Sequence, residues 1–279
     1  MNFSVRQTAI LVEDEFKQLW CRKRALFAIV LYVGMLFLFF WGLSRSREFL
    51  LNGLGGLPMD PRQKVMLEQS LRRFTIPRAA IERAPILSLP VPVLLYFLIS
   101  LSSLPFLIPM VSCDMISLDL YRGTQRFLLF RVSRSAYFWS KTIAHFLVYL
   151  GIQAAVLAGL FLFCLFYARE ALSWAFLFHA LHLSLRLVPV IAVFLAFTQM
   201  ISSRVANPVK SLIVSNLGLF AMVVLLAFQP RLSVFYPPLW SGLFAFEPAT
   251  EFVKSAVGFA GWSVFFWGGS FALFWKRNL

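Results

Sequence analysis

Residues able to do chemistry are sparse in this sequence, and they gather in one stretch. Between Ser112 and Lys141, the acidic Asp114 and Asp119 precede Arg122, Arg126, Arg131, Arg134 and Lys141, with Phe127, Leu128 and Leu129 set among the arginines. That mixture suits docking better than catalysis. Guanidinium groups pair with acidic side chains on a soluble partner, and an apolar trio fills a groove on it. The plainer reading is a solvated loop that keeps positive charge only to fix membrane topology. Elsewhere there is no glycine-rich phosphate loop, no HExxH and no nucleophile elbow. None of the 12 acidic residues falls clearly inside a predicted span. A proton-coupled transporter needs such a carboxylate as a relay, so the energy for any transport has to come from another subunit. No catalytic, metal or cofactor site is expected in this chain.

Three weaker constellations remain. His179, His182 and Arg186 share one helical face by spacing, which offers either a cationic patch to an anionic lipid or substrate or simple anchoring at the membrane interface. Pro105 and Pro109 interrupt an apolar run, each removing a backbone donor and bending the helix. Together with Asn216 they are the candidates for lining a pathway, although a purely structural kink is as good a reading of the prolines. Cys21, Cys113 and Cys164 have no CxxC spacing and read as buried thiols.

The elements that must position these residues follow from hydropathy. Of 279 residues, 60% are hydrophobic and only 14% charged, against about half and about a quarter in an ordinary soluble domain. The fold class is therefore all-α integral membrane, a single polytopic domain with six transmembrane helices. A net charge of +14 comes from basic residues set between apolar runs, which points to anionic lipid headgroups and away from nucleic acid.

Residues 1–24 carry Val5, Ala9, Val12, Phe16 and Leu19 at spacings of four and three, with Arg6, Glu13 and Lys17 on other faces. This pattern predicts an amphipathic helix on the membrane surface. No cleavable signal peptide is expected, because the first apolar run follows a long charged segment and lacks a cleavage site. Spans are predicted at 25–43, 93–111, 142–167, 185–203, 211–229 and 256–275. The fourth has two registers. A helix starting near Trp174 buries Arg186, at a cost of at least about 2.5–3.5 kcal/mol at a helix centre. The favoured register lays Ala171–Leu183 along the outer interface and lets Arg186 snorkel outward.

Residues 44–92 form a long external loop with short helices near Asp60–Phe74 and after Pro77. Pro230–Lys254 is a proline-broken yet greasy excursion suited to re-entrant or interfacial half-helices. Basic clusters at Arg22–Arg24, in 112–141 and at Lys276–Arg277 place both termini and the 112–141 loop in the cytoplasm by the positive-inside rule. The basic 44–92 loop works against that rule.

Asp119, Arg122, Gly123 and Thr124, then Phe127–Leu129, then Val132–Arg134 and finally Lys141 resemble the loop after the second span in permease subunits of type-2 ABC exporters. The N-terminal Glu15–Phe16 pair before a basic cluster and the six-span layout are similar too. The pattern departs from the family at Arg131, where a proline is usual, and at Asp114 and Asp119, where glutamate is. The resemblance implies that 112–141 is a cytoplasmic coupling loop whose helix docks on a separate ATPase subunit dimer, which holds the ATP and Mg. It implies pairing with a second copy or a paralogous permease in the cytoplasmic membrane, and outward movement of a lipid-like, amphipathic or polymeric substrate. The coupling residues would be Asp119, Arg122, Gly123, Thr124, Arg126, Phe127, Leu128, Leu129 and Arg134. The alternative within the same fold is a non-transporting anchor that relays force in an envelope complex, with 44–92 gripping an external partner.

Overall fold

Inside a bilayer every backbone N–H and C=O must find its partner within the protein, and a helix satisfies them from its own chain. The computed structural model describes residues 2–21, 30, 32–38, 91–167, 173–228 and 249–276. Its helices are α1 (Asn2–Cys21), α2 (Val91–Ser112), α3 (Ser117–Arg122), α4 (Thr124–Leu129), α5 (Arg134–Tyr167), α6 (Trp174–Arg204), α7 (Pro208–Phe228) and α8 (Ala249–Trp275). Residues 32–38 are helical as well, and no strand occurs among the described residues. Tyr96–Arg122, Arg134–Phe166, Phe176–Arg204, Pro208–Leu225 and Val253–Trp275 are each long and apolar enough to cross a membrane. Most of the expected first span, nearly all of the 44–92 loop and most of the Pro230–Lys254 excursion lie outside the described residues.

Local chemistry sets where the helices begin. Ser133 caps α5, its Oγ accepting from the Ala136 amide at 3.2 Å, so the helix starts at Arg134, eight residues before the expected span. Asn207 Oδ1 accepts from the amides of Val209 and Lys210, and Pro208 fills the first helical position of α7, where a missing donor costs nothing. Helix α8 begins at Ala249 and so takes in residues expected to belong to the preceding excursion.

The fourth span departs most from expectation. Ser173 Oγ accepts from the Phe176 amide at 3.1 Å, and α6 then runs unbroken through Pro189 to Arg204. There is no break near Leu183 to leave an interfacial segment. Arg186 is 2% exposed, and its Nη2 sits 2.8 Å from His182 Nε2. A ring nitrogen one turn away gives the guanidinium a partner inside the protein, so outward snorkelling is not what the side chain does. His182 in turn stacks on Phe178.

Helix α6 is the hub, packing against α2, α5, α7 and α8 with Leu187, Val190, Ile191 and Leu195 fully buried. Helix α1 lies along α5. Ile213, Leu217 and Phe220 of α7 and Val257, Val264 and Phe265 of α8 face outward, a surface that hydrocarbon solvates and water does not.

Candidate functional site

The buried face of α1 holds Val12, Phe16 and Leu19 against the core, and helical spacing puts Glu15 on that same face. Glu15 is buried, and a carboxyl group there needs a partner with donors to spare. Lys141 supplies them. Its Nζ lies 2.5 Å from Glu15 Oε2 and 2.8 Å from Asp119 Oδ2, and it also sits 5.5 Å from the centre of the Tyr137 ring. Asp119 accepts further bonds from Tyr137 Oη at 2.6 Å and Thr124 Oγ1 at 3.3 Å.

Tyr137, Lys141, His145 and Tyr149 recur every four residues, so they form one polar stripe on α5. His145 carries the network deeper, with Nε2 3.9 Å from Glu15 Oε1 and Nδ1 2.8 Å from Ser112 Oγ. Ser112 is 2.9 Å from Tyr149 Oη, which donates to the Ile108 carbonyl on α2 at 2.9 Å. One set of contacts therefore ties α1, α2, α5 and the α3–α4 segment together.

Other bonds fasten the same end of the bundle. Ser202 Oγ on α6 accepts from the amides of Ile116 and Ser117, each at 3.0 Å, and so caps α3 from a neighbouring helix. Thr142 donates to Gln199 at 2.9 Å, linking α5 to α6. Arg134 Nη1 donates to the Trp275 carbonyl at 2.8 Å, and Arg134 Cζ lies 5.7 Å from the centre of that residue's ring, a cation at the C-terminus of α8 where the helix dipole favours it.

Gly123 separates α3 from α4 with φ of 70°. It ends α3 in the left-handed conformation that costs other L residues roughly 1–2 kcal/mol. The turn it makes brings Thr124 back to Asp119.

The residues singled out from sequence thus divide. Asp119, Thr124 and Gly123 belong to the joint or its turn, and Arg134 is engaged with α8. Leu128 and Leu129 are half-buried and pack partly against the core. Arg122 is exposed, while the side chains of Arg126 and Phe127 lie outside the described ones. Pro105 and Pro109 are buried within α2, and Asn216 Nδ2 donates to Leu212 O of its own helix, so no described hydrogen bond joins these three.

Sequence reasoning missed Tyr121 and Phe130, which are 66% and 88% exposed beside the exposed Arg122 and Arg131. It also missed the Glu15–Lys141 pair, although the four-residue recurrence from Tyr137 to Tyr149 was there to be read. Cys113 and Cys164 are buried free thiols, as expected. Comparison of the chain with family models, with characterised proteins and with solved structures gives no match.

Proposed function

We propose that this chain is the permease subunit of an ATP-driven exporter of the type-2 ABC kind. It works as one half of a pair in the cytoplasmic membrane, with both termini inside, and its α3–α4 segment docks on a separate ATPase subunit. The ATPase pair binds and hydrolyses ATP with Mg, and a lipid-like, amphipathic or polymeric substrate moves outward. The observation that carries this reading is the Lys141 joint. A segment meant to receive mechanical work must be stiffly connected to the spans it moves, and Lys141 binds α1 and the α3–α4 segment to α5 through two carboxyl groups at once.

The docking surface is Tyr121 and Phe130 flanked by Arg122 and Arg131. Exposed aromatics beside arginines are the residue types that dominate binding hot spots, and the positive rim calls for an acidic one on the partner.

The test is co-expression with an ATPase subunit encoded beside this chain, followed by co-purification and measurement of ATP hydrolysis in proteoliposomes. The pair Tyr121→Ala with Phe130→Ala should abolish co-purification while leaving the unfolding midpoint of the permease unchanged. Co-purification that survives both changes rules out this docking surface. Labelling of an Arg131→Cys variant only from outside intact cells rules out the orientation.

A further inference from the structure

The joint contains a histidine whose hydrogens can be counted. His145 is fully buried, and three contacts lead away from its Nδ1: to Ser112 Oγ at 2.8 Å, from there to Tyr149 Oη at 2.9 Å, and on to the Ile108 carbonyl at 2.9 Å. Two hydroxyl groups supply two hydrogens for these three contacts. A carbonyl only accepts, so the Tyr149 hydrogen goes to Ile108. Tyr149 then has none to give Ser112, and the Ser112 hydrogen goes to Tyr149. The contact that remains needs its hydrogen from the ring, so Nδ1 carries one.

This fixes what Nε2 can be. A neutral imidazole has one N–H, here on Nδ1, which leaves a bare lone pair on Nε2. That nitrogen faces Glu15 Oε1 at 3.9 Å, an oxygen of the group whose Oε2 binds the Lys141 ammonium. A lone pair and a carboxylate oxygen repel each other, whereas a second ring proton turns the same contact into an ion pair at a buried position. The sign of this contact between α1 and α5 depends on one proton.

Charged and titratable groups reach the ring from each neighbouring element. Glu15 comes from α1. On α5, Lys141 precedes His145 by one turn and Tyr149 follows by one turn. Lys141 opposes a second positive charge, and Asp119 on α3, 2.8 Å from its Nζ, offsets that opposition. Beyond Ser112 at the end of α2 stand Cys113 and Asp114, which both act electrostatically on Tyr149. From α6, the side chain bonded to this part of α5 is the uncharged Gln199. Glu15 is the group opposite Nε2 itself.

We propose that a proton on His145 Nε2 latches α1 to α5 and that its loss as pH rises releases α1. With the proton the ring donates from both nitrogens, to Glu15 on α1 and to Ser112 on α2. Without it Nδ1 still holds Ser112, and Glu15 loses the ring as a partner. The latch rests on the bonds of the joint and is independent of docking.

Two measurements in phospholipid nanodiscs test it. In the full chain with His179→Gln and His182→Gln, His145 is the one histidine left, and ¹⁵N-histidine signals should be followed from about pH 5 to about pH 9, the range in which an imidazole changes charge. Nδ1 should stay protonated throughout, and Nε2 should lose its proton as pH rises. A neutral ring protonated on Nε2 and bare on Nδ1 overturns the proposal. The second measurement is the distance between spin labels on Lys17→Cys and Leu147→Cys, both exposed, with Cys21→Ser and with Cys113 and Cys164 buried. The distance should be narrow at low pH, and the ratio of released to latched α1 should grow with pH by at most tenfold per unit, the limit for one proton. His145→Gln, which does not titrate, should abolish that dependence. A distance unchanged across the range overturns the latch without any change at position 145, and so does a pH dependence that persists in folded His145→Gln.

Discussion

The two polar regions of the bundle solve the burial problem in opposite ways. At the α3–α4 end, charged groups are cross-linked between elements: Glu15 and Asp119 share the buried Lys141, and Arg134, nearer the surface, bonds the end of α8. In the Tyr96–Gln153 region the groups are neutral, hydroxyls and an amide bonded to one another. Buried charge fixes a geometry because losing one partner leaves the other stranded, whereas neutral groups in a membrane protein exchange partners at modest cost. The charged end therefore holds one fixed geometry, and the neutral one leaves its partners free to exchange.

This contrast predicts a ranking of unfolding stabilities, measured in one detergent by chemical denaturation. Lys141→Met should have the largest effect, about 3–5 kcal/mol, because it strands two carboxyl groups in a buried site. Adding Glu15→Gln and Asp119→Asn should recover much of that loss, since the stranded charges go with them. If the triple variant is no better than Lys141→Met, the joint is held by packing of the lysine stem and not by its ammonium group.

Gly123→Ala comes next, at about 1–2 kcal/mol from the positive φ, with nothing within 4 Å to resist the added methyl. Its loss should appear in stability alone if the turn is merely structural. A disproportionate fall in partner-stimulated ATP hydrolysis would show that the angle between α3 and α4 matters for docking. Tyr96→Phe should cost about 0.6–1.7 kcal/mol, the range for hydrogen bonds between membrane helices. A loss as large as that of Lys141→Met would erase the distinction between the two regions.

Much of this architecture was legible in the residues. The apolar runs announced the helices, whereas of the apolar face read on α1 only Val12, Phe16 and Leu19 pack on the core, and Val5 and Ala9 are exposed. Periodicity does not carry the price of a charge on that face, so Glu15 stands out in the sequence only as part of the Glu15–Phe16 pair, and its burial is not foreseen. Arg186 was misplaced for a related reason. A per-residue cost for arginine in lipid ignores a neighbour that can share the burden, and His182 lies one turn away. Leu128 and Leu129 against Phe130 make a third case. Three adjacent apolar residues at the end of a short helix look alike in sequence, and only the turn after α4 decides which one faces out. The partnering of Tyr96, Gln153 and Ser184 joins three helices and leaves no local pattern at all.

The smallest effect belongs to the solvent side of α1, where Lys17 Nζ lies 2.7 Å from Glu13 Oε1 in an exposed pair four residues apart. The Lys17 hydrogen bond and charge hold the Glu13 carboxyl below its ordinary value, and Glu13 likewise raises Lys17. A lowered carboxyl contributes stability above its unfolded value and loses it as pH falls through the folded one. A raised amine contributes below its unfolded value and loses it as pH rises through the folded one. The pair's contribution is therefore level across neutral pH and fades at both extremes, and salt screens it throughout. Lys17→Met should leave the denaturation midpoint unresolved from that of the parent near neutrality, and raised ionic strength should not separate the two. Were Lys17→Met as damaging as Lys141→Met, α1 would be held by its solvent face, and Glu15 would lose its place as the anchor of that helix.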